Sequence, residues 1–308
     1  MITLSRDKLA GVWSATPTPF NDDMTLDEAS VERMVEHHLR LGVKGLFLAG
    51  TCGEGAWMPD ATRRALVRAT AKASAGRLAI AVQVTDNSSA RILDNIGMAA
   101  EDGADVAVIA PPYFLLNATP DNILALYQEA IRGSHLPVGV YDRGKLGAVV
   151  VPDEVLANIY AEDNVVLVKD SSSDDGRREI ALEARRKRPE LLLLNGNEFK
   201  CVDYLAAGYD GLLLGGGIFN GYLAGLIMQA VKSGDLTTAN ALQERMNTIM
   251  YAVFGGESIT CWLAGQKRLL VEMGIFSTWR HFLRYPLTPE CEQDIKRIVK
   301  EEADVLFP

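Results

Sequence analysis

The stretch Val165–Ser172 reads VVLVKDSS. Its four leading apolar residues, three of them β-branched, have the composition of a fully buried β-strand, and Lys169 closes the run at its C-terminal end. A lysine there has two ordinary uses: it lays its stem along the apolar surface with the amine in water, or it pairs with a neighbouring carboxylate such as Asp170. A third use is chemical. A desolvated amine is a nucleophile towards a ketone, with which it forms a Schiff base.

Outward from this run, short apolar segments alternate with helical patterns. The segments are Val12–Ala15, Gly45–Ala49, Ala79–Val84, Val106–Ala110, Val138–Tyr141, Val165–Lys169, Leu191–Leu194 and Gly211–Leu214. Between them, Thr25 with Glu28 matches a capping box, Thr119-Pro120 an N-cap and first turn, and Gly42, Gly76 and Gly103 follow periodic segments. Strand, helix and strand repeating every ~30 residues imply parallel pairing through right-handed crossovers. Eight such units close most naturally into a (β/α)8 TIM barrel, an α/β fold, with an open doubly wound sheet as the alternative. After Ser233-Gly234 the strand signals stop. Leu236–Val253, Ser258–Met273 and Pro289–Leu306 read as a C-terminal three-helix extension, which divides the chain into a barrel domain over 1–235 and a helical extension over 236–308.

A net charge of -9 disfavours a nucleic-acid partner, and any anionic substrate must meet local positive potential. The four cysteines lie far apart with no C-x-x-C pair, a pattern of reducing compartments. The start MITLSRDKLAGVW lacks the layout of a signal peptide, so a cytoplasmic protein is expected. Gly211–Val231 carries no charge and is long enough to span a bilayer, but Gly215–Gly217 would break such a helix; no membrane association is expected. His37, His38, His135 and His281 show no metal-ligand spacing, so no metal is expected.

In a barrel the reactive groups stand at the C-terminal strand ends and the loops after them. Tyr141 ends the fifth run and Lys169 the sixth, one βα unit apart, so they should be neighbours on one rim. A phenol beside an amine can shuttle protons through carbinolamine formation, dehydration and bond cleavage; an aromatic cap on the barrel is the other reading of Tyr141. Gly50-Thr51-Cys52-Gly53 after the second run offers backbone N–H groups in a tight turn, suited to a carboxylate.

TPF at Thr18–Phe20, GTCGE at Gly50–Glu54, PPY at Pro111–Tyr113, VY at Val140-Tyr141 and VKDSS at Val168–Ser172 together resemble the dihydrodipicolinate synthase/N-acetylneuraminate lyase family, in family order and spacing. The resemblance implies a class I aldolase-type barrel, usually tetrameric or otherwise oligomeric, in which Lys169 forms an imine with pyruvate or another 2-oxo acid. It needs no separate cofactor. Tyr141 would be the proton relay, Thr51 and Cys52 would bind the 2-oxo acid carboxylate, and Tyr113 matches the first of the family's paired interface aromatics.

Departures from the family pattern bear on the substrate. Where the synthases carry YN-x-P-x-R-T, this chain has Tyr141–Gly147, YDRGKLG, with Leu146 at the arginine that grips aspartate semialdehyde. The lyases also carry leucine there, while Arg143 and Lys145 nearby can supply a displaced cation. Phe114 replaces the second tyrosine, and Cys52 replaces a threonine or serine, as a tolerated small residue rather than a nucleophile. Asn195–Glu198, NGNE, matches the place where the lyases hold sugar hydroxyls, so Gly196 and Glu198 are candidate substrate-binding residues; a solvated loop carboxylate is the other reading of Glu198.

The expected activity is a Schiff-base lyase, aldolase or dehydratase, acting on a 2-keto-3-deoxy sugar acid or related hydroxy acid. The alternatives are dihydrodipicolinate synthase itself and a non-catalytic 2-oxo acid-binding paralogue.

Overall fold

Each of the eight apolar runs forms a strand in the computed structural model, which describes residues 6–308. Residues 1–5, where the reading of the N-terminus begins, lie outside the described residues. After a helical turn, α1 (Arg6–Leu9), the order is β1 (Val12–Ala15), α2 (Glu28–Arg40), β2 (Gly45–Leu48), α3 (Asp60–Ser74), β3 (Ala79–Gln83), α4 (Ser89–Glu101), β4 (Val106–Ile109) and α5 (Pro120–Gly133). It continues with β5 (Val138–Asp142), α6 (Asp153–Tyr160), β6 (Val165–Asp170), α7 (Asp175–Lys187), β7 (Leu192–Asn195), α8 (Cys201–Ala206), β8 (Gly211–Leu214) and α9 (Gly217–Lys232). Neighbouring strands pair in parallel and β8 returns to β1, which closes the barrel and excludes the open sheet.

Strand alternation sorts the core into two layers. Val12, Ile80, Val82, Ile109, Val140, Val168 and Leu193 face the helices, whereas Trp13, Phe47, Ala81, Val108, Leu167 and Leu194 fill the barrel. Burial of both strand faces is why these segments read as continuous apolar runs.

One register irregularity matters for the site. Val138 pairs with Val165, but Gly139 pairs with Leu167, so Val166 is bulged out of the ladder. Strict alternation from Val165, which faces the helices, would also turn Lys169 towards the helices. The bulge instead puts Tyr141 opposite Lys169, both towards the barrel axis, and Asp142 opposite Asp170.

Beyond the barrel, α10 (Leu236–Phe254) packs along α9, and α11 (Trp262–Glu272) and α12 (Pro289–Glu301) pack on α10. Two expectations change here. The second C-terminal helix starts at Trp262 rather than Ser258, and the third breaks at Glu302 into α12 and a last turn, α13 (Ala303–Leu306). The capping box at Thr25 is also corrected: Asp27 is the N-cap of α2, accepting from Ser30 N–H, while Thr25 bonds to Asp23 in the preceding turn. Thr119 does cap α5, with Asn122 reciprocating. The uncharged Gly211–Val231 run is divided between β8 and α9, and among the described residues no helix is long and apolar enough to cross a membrane.

Candidate functional site at the barrel mouth

Lys169 comes to the C-terminal mouth on the inner face of β6, 5% exposed. Its Nζ lies 4.2 Å from the Tyr141 ring centre and 4.9 Å from that of Phe47, and the two rings meet edge to face at 5.9 Å. Neither ordinary use of a strand-end lysine applies. The amine is buried rather than snorkelling, and Asp170 faces the other way, accepting from Ser172 N–H and Oγ and from the Tyr209 hydroxyl at 2.7 Å. Among the described residues Lys169 Nζ makes no ion pair, so the amine stands over aromatic faces with its lone donors uncommitted.

The outward residues of the same two strands hold the rim in place. Asp142 Oδ1 accepts from Gly144 N–H and from Arg177 at 2.6 Å, and Arg177 also reaches the Val151 carbonyl. Burial pushes the Asp142 carboxyl up, against the pull of the Gly144 bond and Arg177. With exposures of 4% and 2%, this pair carries a large penalty if broken. Arg177→Met should therefore cost about 3–5 kcal/mol of stability in urea unfolding; a loss under about 1 kcal/mol would mean that Asp142 is satisfied without it.

Across the mouth, the turn after β2 carries Thr51 and Cys52. Thr18 Oγ1 donates to the Gly53 carbonyl at 2.7 Å, and Glu54 N–H to the Thr51 carbonyl. The backbone N–H groups of Thr51 and Cys52 reach no acceptor on another described residue. Gly53 is required by space, because a Cβ there would stand 2.8 Å from the Ala49 nitrogen. Burial pushes the Cys52 thiol up to about 12, so it is a neutral thiol, in keeping with a tolerated small residue.

Glu198 opens a 3₁₀ turn (Glu198–Lys200) after β7. It is not a freely solvated carboxylate: Oε2 accepts from Gly216 N–H at 2.6 Å, and burial raises its carboxyl despite that bond and the nearby Lys169 charge. The three glycines after β8 make room for it. A Cβ on Gly215 would stand 3.0 Å from Cys52 Sγ and 3.5 Å from Glu198 Oε1, so the thiol and the carboxylate converge on that backbone. A Cβ on Gly196 would stand 3.0 Å from Lys169 Cε, so this glycine forms the wall beside the amine.

Tyr113 sits above β3, its hydroxyl accepting from Gln83 Nε2 at 2.8 Å, and burial raises its phenol. The loop after β5 turns Leu146 outward, 64% exposed, while the half-buried Arg143 guanidinium is near enough to act on the Tyr113 phenol. Arg143 makes no side-chain hydrogen bond or ion pair among the described residues. The structure thus gathers Lys169, Tyr141, Thr51, Cys52, Gly196 and Glu198, with Tyr113 at the edge, and leaves Leu146 apart. Sequence reasoning missed Phe47 and Gln83. Gln83 ends β3 on the inner face, so the strand-end rule that selected Tyr141 would have found it.

His37 and His38 are buried. His37 Nε2 meets the Ile218 carbonyl and His38 meets the Met34 carbonyl and Ser14 Oγ, with burial lowering them to about 4 and about 3.

A model of the dihydrodipicolinate synthetase family matches residues 8–303. The chain belongs to this family. It is 30% identical to a 4-hydroxy-tetrahydrodipicolinate synthase of Xanthomonas campestris pv. campestris over 91% of this chain and 89% of that one. It is 26% identical to an N-acetylneuraminate lyase of Rhizobium meliloti over 87% of each. Among solved structures, the dihydrodipicolinate synthase of Bacteroides thetaiotaomicron superposes with a TM-score of 0.84 at 25% identity, covering 95% of this chain and 98% of that one. The Thermotoga maritima dihydrodipicolinate synthase, at 24% identity, shares the fold with a TM-score of 0.86, covering 96% and 99%. Synthases and lyases thus both stand among the family relatives.

Proposed function

We propose that this family member is a Schiff-base-forming lyase for a 2-oxo acid, most specifically a 2-keto-3-deoxy sugar acid or related hydroxy acid. The observation that carries the proposal is the buried, uncommitted Lys169 amine 4.2 Å over the Tyr141 ring. Lys169 attacks the C2 ketone, and the carbinolamine loses water to give an iminium that serves as an electron sink. The Thr51 and Cys52 N–H groups bind the C1 carboxylate. Tyr141 gives the proton with which the carbinolamine hydroxyl leaves as water, and the phenolate so formed takes the C4 hydroxyl proton in retro-aldol cleavage as the C3–C4 bond breaks towards the iminium and an aldehyde leaves. The resulting enamine takes a proton at C3, and hydrolysis frees pyruvate and the amine. From the same iminium a dehydratase would remove a C3 proton and expel the C4 hydroxyl as water. Glu198 suits hydroxyls at the far end of the substrate, because its Oε1 faces the Cys52 side while Oε2 is fixed on Gly216.

The test is a panel of 2-keto-3-deoxy acids, sialic acid and aspartate semialdehyde, with pyruvate and 2-oxo products both assayed. Cleavage or dehydration of a keto-deoxy acid is expected, and turnover with none of them would sink the lyase reading. One observation favours a second reading, dihydrodipicolinate synthesis: Arg143 is a free cation at the rim, able to hold a distal carboxylate. On that reading Arg143→Ala should raise KM for aspartate semialdehyde by about 10–100-fold; an unchanged value removes Arg143 from the site.

We also infer a homo-oligomer, dimer or tetramer, paired through the loop after β4, where Phe114 and Leu116 are 63% and 70% exposed. Sedimentation at micromolar concentration should show no monomer, and Phe114→Asp should release one; a monomeric parent protein would refute this. Cytoplasmic location follows the reducing cysteine pattern, with all four cysteines free and buried; fractionation of cells that express the chain tests it, and recovery outside the cytoplasm would overturn it.

A further inference from the structure

Behind the turn that carries Thr51 and Cys52 lies a buried ion pair that the reaction above does not use. Glu54 and Lys267 are both 0% exposed, with Lys267 Nζ 2.5 Å from Glu54 Oε1. Their remaining bonds are complete. Glu54 Oε2 accepts from Phe282 N–H at 2.6 Å, Lys267 Nζ donates to the Arg280 carbonyl at 2.7 Å, and the amine lies 4.5 Å from the Phe20 ring centre. Burial pulls the Lys267 amine down, against the attraction of Glu54.

Stability alone is a poor account of this pair, because a buried ion pair contributes little more than a well-packed apolar pair of the same volume. Its geometry gives a better one. Glu54 stands at φ 59° and Ala49 at φ 54°, left-handed conformations that cost a side-chain-bearing residue roughly 1–2 kcal/mol each. A turn with both relaxes unless it is held. It is held at two points: by Thr18 on the Gly53 carbonyl, and by the Glu54 carboxylate on α11 and the Arg280–Phe282 segment. Phe20 packs under Lys267 and meets Phe282 edge to face at 5.2 Å, so the TPF and GTCGE motifs converge on this clamp.

We propose that Glu54 and Lys267 are positioning residues for 2-oxo acid binding, clamping the Thr51–Gly55 turn to the C-terminal helices so that its free backbone N–H groups face Lys169. This rests on the reading that the turn binds the substrate carboxylate. It assigns the C-terminal extension a part in the barrel's chemistry, since the clamp reaches the turn from α11 and the segment after it.

The experiment is borohydride trapping of pyruvate on Lys169, titrated with pyruvate in the full-length protein, its Glu54→Gln and Lys267→Met variants, and the double variant. Should the parent protein give no Lys169 adduct at any pyruvate concentration, the Schiff-base reading itself fails. Given a labelled parent, folded variants should need at least about tenfold more pyruvate for half-maximal trapping, while maximal trapping and turnover at saturation stay within about threefold. Half-saturation within about twofold of the parent overturns the proposal, as does a collapse of maximal trapping at unchanged half-saturation. If a single variant fails to fold because it leaves one buried charge unpaired, the double variant carries neither charge and decides the matter by the same two numbers.

Discussion

Lys169→Met is expected to lower turnover of any 2-oxo substrate by at least ~10⁴-fold and to abolish trapping by borohydride, because the step that makes the electron sink depends on its amine. Methionine is close in volume and suits a site walled by the Phe47 and Tyr141 rings, so the fold should survive. Unchanged cooperative melting in the variant separates lost chemistry from lost structure. The contrast with Lys267, the other buried lysine among the described residues, sharpens the test. Lys267 is spent on Glu54 and the Arg280 carbonyl, so pyruvate should label the Lys169 peptide and leave the Lys267 peptide unmodified. Labelling of Lys267, or residual turnover above about a tenth of the parent, would place the reaction elsewhere.

Tyr141→Phe should reduce turnover by ~10²–10⁴-fold, the usual worth of a positioned acid–base group, while trapping with pyruvate falls far less. The substitution removes a hydroxyl and keeps the ring that packs on Phe47 and lies beneath the amine. Held with pyruvate before the reductant is added, even a slowed imine reaches its equilibrium level, whereas each turnover needs the C4 hydroxyl proton to move. Equal losses in the two assays would reduce Tyr141 to a wall of the pocket.

The strands were legible because both of their faces are buried, so that eight apolar runs stand out against the helices, and the closed barrel follows from their even spacing. Lys169 and Tyr141 were legible because a polar group at the end of such a run has few uses. Three things were hidden. Glu54 and Lys267 are 213 residues apart, and nothing local to either marks a partner. At the start of α2 two capping signals compete within three residues, and the helix begins from the later one, where the Asp27 carboxylate accepts from Ser30 N–H. Leu146 was chosen by its position in a family motif, but the loop turns it to solvent and leaves Arg143 at the rim.

The bulge at Val166 bears on how the barrel aims its reactive groups. Pairing from Gly139↔Leu167 onward is regular up to Asp142↔Asp170, so the reactive layer takes its register from the upper half of the strand alone. The bulge is an expansion joint on β6: its one extra residue, Val166, is taken up by the ladder before the amine is reached. Lys169 and Tyr141 therefore keep their mutual aim although β6 carries one residue more than β5 over the same span, which separates the spacing of the scaffold from the aim of the reaction.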